Sequence, residues 1–333
     1  MTVTVVVGGF YGDEGKGKIV AYLSLSDSHS LAVRGGVGPN AGHTVIYENQ
    51  VLKLRMLPSA VVNKSTRLLI GPGVLVDPTV TLNEATKYNA LDRLVIDRSC
   101  GIIEQHHINS DRSGFLSSKV GSTGSGTGPA NAERVLRTAK LAKDLDLFKD
   151  YLDDIPGIVN SQIENGNDVL VEGTQGTFLS LYFGNYPFVT SKDVTASAIC
   201  SDVGLGPKKV DDVIVIFKSY VTRVGEGPFA GEITESEIQK LGWSETGTVT
   251  GRTRRAAPFD FNLARRSIML NSATSIAITK LDILFPSATG MRKYDELSSD
   301  AKAFIENIEN ELHTSVSLIG TGPEVYDTID RRL

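Results

Sequence analysis

The sequence predicts an α/β fold. It reads as a single large domain, 1–333, with a mostly parallel central sheet flanked by helices, a P-loop-like nucleotide-binding loop, an appended hairpin and helical insertions. Three observations carry this expectation. The chain opens on a β-branched run, Val3 to Val7, followed by a glycine-rich loop and then by Ile19-Val20-Ala21-Tyr22-Leu23 at helical spacing. Similar short apolar runs recur along the chain. Helical patterns fall between several of them, the alternation from which parallel sheets are built.

Taken in order, strands are expected at Val3–Val7, Leu68–Ile70, Leu94–Ile96, Val169–Val171, Val213–Phe217 and Ile276–Ile278. Helices are expected from Pro78 to Tyr88, from Asn131 to Leu145 and from Asn262 to Leu270. Val45-Ile46-Tyr47 and Val51 to Leu54, joined through Glu48-Asn49-Gln50, read as a hairpin. No run of Pro, Ser or like charge marks a linker, and no repeat recurs at a fixed period, so the elements are assigned to one domain.

Composition narrows the function classes. The chain has 333 residues, 34 Lys+Arg against 39 Asp+Glu and a net charge of −5, which gives no general attraction to nucleic acid or anionic lipid. Cys100 and Cys200 lie far apart with neither a Cys-x-x-Cys motif nor a neighbouring His, so no disulfide framework or zinc site is expected. No basic leader opens the chain and no apolar run is long enough to span a bilayer. A cytoplasmic location is the expectation.

The chemistry is expected in five polar or glycine-rich loops. In the first, Gly12-Asp13-Glu14-Gly15-Lys16-Gly17-Lys18, the loop amides and the positive end of the following helix suit phosphates. The G-x-x-x-x-G-K spacing is met, but Ile19 stands where a P-loop places a magnesium-binding hydroxyl. Asp13 is the carboxylate positioned to replace it or to take a proton; the plainer reading is a turn residue capping the helix. The second loop, Gly35 to Thr44, concentrates small residues around Asn40 and His43, and makes His43 a candidate acid or hydrogen-bond donor. The third, Gly121 to Pro129, leads into a helix bearing Arg134 and Arg137, a set suited to a monophosphate; by composition it could also be a flexible linker. The fourth is Gly173 to Gly176. In the fifth, Thr250-Gly251-Arg252-Thr253-Arg254-Arg255, clustered guanidinium groups suit carboxylates or phosphates, although a solvated basic turn is also possible. Thr279-Lys280-Leu281-Asp282 ends a strand, where a carboxylate can accept from both guanine donors.

Together these stretches resemble the adenylosuccinate synthetase family, over nearly the whole chain from Gly8 to Pro323, and in particular its compact archaeal branch. The combination of Gly12 to Lys18 with Asn40-Ala41-Gly42-His43-Thr44 is the most specific part. The resemblance implies a ligase that forms a C–N bond, joining IMP to L-aspartate at the cost of GTP through 6-phosphoryl-IMP. It implies Mg2+ held by Asp13 and the carbonyl of Gly42, with Asp13 also the base for the N1 proton. His43 would donate to the β–γ region of GTP, Gln175 would polarise O6 of IMP, and Lys16 would neutralise phosphate charge. GTP would be bound by Gly12, Glu14, Gly15, Gly17, Lys18, Arg254, Lys280, Asp282, Thr321 and Gly322. IMP would be bound by Asn40, Thr123, Arg137, Gln175, Thr190 and Arg252. Aspartate would be bound by Thr248, Val249, Thr250, Arg252 and Arg254. Arg137 would cross into a neighbouring subunit, which implies a homodimer.

Tyr11 stands in place of a family Trp, Thr253 interrupts the basic run, and Ala257-Pro258 replace the usual Gly-Trp. Two other readings remain. A phage branch of the superfamily aminates dGMP, but its members commonly carry a small hydroxyl residue at the place of Asp13. A non-catalytic nucleotide switch needs one nucleotide pocket, whereas these loops supply groups for two phosphorylated ligands and a dicarboxylate.

Overall fold

The computed structural model describes residues 2–247 and 251–332. In chain order the first part runs β1 (Val3–Gly8), α1 (Lys16–Ser26), β2 (Leu31–Arg34), β3 (His43–Tyr47), β4 (Gln50–Leu54), β5 (Arg67–Ile70), β6 (Leu75–Val76) and α2 (Pro78–Lys87). It continues through β7 (Leu94–Asp97), β8 (Gly101–Ile102), α3 (Gln105–Ser113), α4 (Thr127–Leu136), β9 (Leu152–Asp153), α5 (Ile155–Glu164), β10 (Val169–Glu172) and α6 (Ala196–Asp202). The last part is β11 (Asp212–Lys218), β12 (Val221–Arg223), α7 (Glu235–Leu241), β13 (Arg255–Ala257), α8 (Phe261–Asn271), β14 (Ser275–Thr279), α9 (Leu281–Leu284), α10 (Ser299–Leu312), β15 (Val316–Gly320) and β16 (Thr328–Asp330).

Among the described residues, ten strands form one sheet in the order β16-β15-β14-β11-β1-β10-β2-β5-β7-β9. Every neighbouring pair is parallel except β15–β16. The β-branched opening run explains the central place of β1. Val3, Val5 and Val7 pack into the core on one face and Val6 into the core on the other, so a strand without polar alternation is covered on both sides. Its parallel neighbours β10 and β11 bring the loops after all three strands to the same edge. There β2 and β14 end as well.

The appended hairpin is β3–β4, pairing His43 with Leu54 through Tyr47 with Gln50. The ribbon β12–β13 pairs Val221–Arg223 with Arg255–Ala257 and so carries the arginine loop; Ala257 takes a normal place opposite Val221. The helix expected from Asn131 to Leu145 is corrected: α4 covers Thr127–Leu136 and begins before Pro129, which a first turn tolerates. It stops because Arg137 adopts a left-handed conformation at φ 68°. The following segment is then held against β8, with the Ile102 amide on the Lys140 carbonyl and the Ala142 amide on that of Cys100. No helix among the described residues is long and apolar enough to cross a membrane.

Candidate active site

The chain leaves β1 and turns back into α1 through three left-handed residues, Gly12 (φ 87°), Asp13 (φ 64°) and Gly15 (φ 87°). Glycine adopts this conformation freely, whereas Asp13 is strained there and needs an anchor. Glu14 supplies it. Its buried carboxylate accepts from the amides of Phe10 at 3.0 Å and Gly12 at 2.7 Å and from Lys16 Nζ at 2.8 Å. Gly17 is small for a steric reason: a Cβ there would meet His43 Cβ at 2.9 Å.

This loop opens onto a cavity of about 760 Å3 at the carboxyl edge of the sheet. Asp13, Lys16, Asn40, Gly42, His43, Thr123, Gln175, Thr190, Arg252, Arg254, Lys280 and Gly322 all line it. Residues from seven separate connections thus meet in one space, as an α/β sheet allows where its strands end. Asn40 Nδ2 donates to Thr190 Oγ1 at 3.2 Å. The opposite atom, Asn40 Oδ1, is buried without a hydrogen-bond partner, and so are Gln175 Oε1 and Asp282 Oδ1. Buried polar atoms are nearly always paired, so the orphans on Asn40 and Gln175, both in the cavity lining, mark where a polar ligand would complete the structure, while Asp282 stands outside that lining. Gln175 also holds a left-handed backbone at φ 52°.

Two buried ion networks support the lining groups. His43 Nδ1 lies 2.5 Å from Glu172 Oε1 and 2.8 Å from Arg34 Nη1, while Arg34 Nη1 lies 2.9 Å from the same carboxylate oxygen. A guanidinium has only protons to offer, so the carboxylate is the acceptor that both groups share, and the imidazole carries its proton on Nδ1. Glu172 also accepts from the amide and hydroxyl of Ser59, both at 2.6 Å. Burial, reinforced by Arg34, pushes the His43 pKa down to about 4; Glu172 opposes this shift. Against the cost of its own burial, Glu172 is held down at about 2 by Arg34 and His43.

The second network surrounds Asp13. Its Oδ2 lies 2.9 Å from Arg254 Nη2, and the other guanidinium nitrogen bonds Glu245. Burial raises the Asp13 pKa, with Arg254 and Lys218 pulling it back. Sequence reading missed Arg34, Glu172, Lys218 and Glu245. Glu172 and Lys218 could have been flagged, since each ends a strand at the edge where the loops converge.

Four expected contacts are placed differently. The Glu14 carboxylate is turned into the loop. Lys18 Nζ donates to the carbonyls of Gly322 at 2.6 Å and Asp327 at 2.5 Å, tying α1 to the loop after β15, and burial lowers its pKa to about 8. Thr321 Oγ1 donates to the Met291 carbonyl at 2.6 Å. In these three the side chain is already engaged, so any contact with nucleotide falls to the main chain. Arg137 is exposed and stands outside the cavity lining. Thr248, Val249 and Thr250 lie outside the described residues.

The donors expected for magnesium fit a hard cation. Asp13 offers carboxylate oxygen and Gly42 a carbonyl, both residues line the cavity, and the guanidinium on Asp13 shows that the carboxylate already faces a cationic partner. His106, His107 and Glu133 have metal-like spacing, but His107 Nδ1 accepts the Glu104 amide at 2.9 Å. Metal at Nε2 would then require an imidazolate, so that cluster is a polar cap in which His106 and His107 both meet the Glu133 carboxylate between α3 and α4.

The adenylosuccinate synthetase family model matches residues 5–147 and 138–287. The chain belongs to the adenylosuccinate synthetase family. Adenylosuccinate synthetase of Archaeoglobus fulgidus is 54% identical over 333 residues, covering 100% of this chain and 99% of that protein. The Methanococcus aeolicus enzyme is 52% identical over 336 residues, with 100% of both chains covered. The fully ligated adenylosuccinate synthetase of Plasmodium falciparum superposes with a TM-score of 0.91 at 25% identity, covering 100% of both chains. Succinoaminodeoxyadenylate synthetase of cyanophage S-2L, bound to dGMP and dATP, shares the fold at a TM-score of 0.83 and 24% identity, covering 100% of this chain and 96% of that one. The full-length archaeal relatives favour the adenylosuccinate synthetase reading over the phage one, and the protein is an enzyme of a GTP-dependent family of C–N ligases.

Proposed function

We propose that this site joins IMP to L-aspartate in two steps, with Asp13 as the base that starts the first. The observation that carries the reading is the convergence of Asp13, His43, Gln175, Arg252 and Lys280 on one cavity, with orphaned acceptors on Asn40 and Gln175 in its lining. Asp13 removes the N1 proton of IMP. Its pKa, raised by burial, makes it a better acceptor than an exposed carboxylate. The 6-oxygen then bonds the γ-phosphorus of GTP as the β–γ bridging bond breaks, releasing GDP and leaving 6-phosphoryl-IMP. In the second step the aspartate amine bonds C6, phosphate departs, and the amine sheds its proton.

Asp13 and Gly42 would hold Mg2+, which would supply neutralisation of phosphate charge. The loop amides between Gly12 and Lys18 hold phosphate at the start of α1. His43 is oriented by Glu172. It can donate to the bridging oxygen only after taking a second proton on Nε2, and the approach of anionic phosphate favours that imidazolium against burial and Arg34. Asp282 accepts from guanine. Arg252, which donates to the Gly121 carbonyl at 2.8 Å, would serve both IMP and aspartate.

A homodimer completes this reading. Val135 and Leu136 are 70% and 71% exposed on α4, next to the exposed Arg137, while Thr127 and Gly128 at the start of that helix line the cavity. An apolar pair beside a basic residue suits a second subunit whose IMP phosphate Arg137 would reach. The test is a coupled assay of IMP, aspartate and GTP with the parent and Asp13→Ala. The variant should lose formation of 6-phosphoryl-IMP by at least about two orders of magnitude. Near-normal turnover would remove Asp13 from the role of base.

A further inference from the structure

We infer that Glu245 is a positioning residue for this reaction, the fixed point on which Arg254 turns while its guanidinium exchanges its other partner. The inference rests on the reading of Asp13 and Arg254 given above.

One guanidinium bridges two carboxylates that are held very differently. Arg254 is buried, with Nη2 2.9 Å from Asp13 Oδ2 and Nη1 on Glu245 Oε2. Asp13 stands at the cavity and has substrate to meet. Glu245 also lines the cavity but is gripped from behind. Lys218 Nζ donates to its Oε2 at 2.8 Å and to Thr222 Oγ1 at 2.7 Å, while the Tyr220 hydroxyl donates to Oε1 at 2.5 Å. The Tyr220 ring is in turn stacked on Trp243, with centroids 4.5 Å apart and planes 8° from parallel. Lys280, on the guanine side of the cavity, places Nζ 3.9 Å from Oε1.

Moving Glu245 therefore means breaking charge-assisted bonds to Lys218 and Arg254 and a bond to Tyr220, whereas moving Arg254 off Asp13 breaks one. When substrate competes for Asp13, the single contact gives way. Arg254 keeps Nη1 on Glu245, and its freed Nη2 remains at the cavity, where a phosphate or carboxylate oxygen can take it. Charge balance gives the same result. Glu245 faces Lys218, Arg254 and, at 3.9 Å, Lys280; neutralising it removes the carboxylate they share and leaves Arg254 with Asp13 alone. Arg254 would then fall wholly onto Asp13 and block the base, slowing the chemical step while the IMP pocket stays formed.

The test uses the full chain with Glu245→Gln, Glu245→Asp and Tyr220→Phe. The readouts are kcat, KM for IMP and the stoichiometry of IMP binding by titration calorimetry. Glu245→Gln should lose at least about tenfold in kcat with KM for IMP within about threefold of the parent and full binding stoichiometry, and Glu245→Asp should recover part of the loss. Tyr220→Phe removes only the hydroxyl on Glu245, keeps the ring on Trp243, and should lower kcat by about threefold. A Glu245→Gln kcat within about twofold of the parent overturns the inference, as does a loss matched by an equal fall in stoichiometry. If Glu245→Gln does not fold, Tyr220→Phe decides: parental kcat overturns the positioning role and a reduced kcat at full stoichiometry supports it. Failure of the parent to ligate IMP to aspartate would instead remove the reading of the site itself.

Discussion

Asp282 separates nucleotide recognition from stability, because Asp282→Asn should move the two in opposite directions. Asp282 Oδ1 is buried without a partner, and burial raises the pKa of the carboxyl. A raised folded-state pKa means that the folded protein holds this proton more tightly than the unfolded chain, so the parent loses stability as pH rises from the unfolded value of 3.8 through the folded one. Above that window the parent carries the whole cost of the buried charge, and Asn carries none. Without ligand at neutral pH, the variant should unfold at a temperature no lower than the parent.

With nucleotide the sign reverses. A carboxylate accepts from both N1–H and the 2-amino group of guanine; an amide accepts from one and turns its own N–H bonds toward the other. Losing a charge-assisted bond costs about 1.5–3 kcal/mol, or roughly 10- to 150-fold in GTP affinity. Adenine offers an acceptor at N1 and a donor at N6, which an Asn amide matches, so the preference for GTP over ATP narrows from both sides. Calorimetric Kd values for GTP, ATP and IMP, measured beside thermal melts, check this. IMP affinity should hold within about twofold. An unchanged GTP-to-ATP ratio would place guanine recognition on other residues.

Glu172→Gln leaves Arg34 buried beside a neutral amide and should destabilise the fold by about 3–5 kcal/mol, a fall of roughly 4–7 °C in melting temperature for a chain of this size. A melt within about 2 °C of the parent would mean that Arg34 finds another partner. Leu136→Asp puts a charge in the exposed apolar pair on α4; sedimentation equilibrium should show a shift toward monomer, together with a raised KM for IMP. An unchanged mass distribution would move the subunit contact elsewhere.

The parts of the fold that sequence made legible are those where pattern and burial coincide. β1, β11 and β14 are continuous apolar runs because both faces of a parallel sheet are covered, and the glycine loops are visible because a backbone that approaches a ligand has no room for side chains. β2 is hidden by its brevity and by its last residue. Leu31-Ala32-Val33-Arg34 ends on a charge, which reads as a loop until Glu172, on the neighbouring strand, is seen to pair with it. α4 was placed too late because Pro129 looks like a boundary from outside the helix although it occupies the first turn. Arg137 is solvent-exposed in its own chain, which is how a residue serving a partner's site would look.

The least legible feature of the site is also its most regular one. Glu172 and Glu245 are 73 residues apart in sequence, yet each is a carboxylate with little or no exposure that grips a cavity-facing group, His43 in one case and Arg254 in the other. Each is also pinned by a cation behind it, Arg34 or Lys218, and by a hydroxyl, from Ser59 or Tyr220. Such an arrangement has no local spacing, because its members come from different strands and loops and meet only when the sheet assembles. Its physical effect is common to both: the carboxylate behind the cavity-facing group is fixed by several bonds, while that group keeps a ring nitrogen or a single exchangeable contact toward the cavity. A site built this way reacts without having to order its own side chains first, so the energy of substrate binding goes to the reacting atoms.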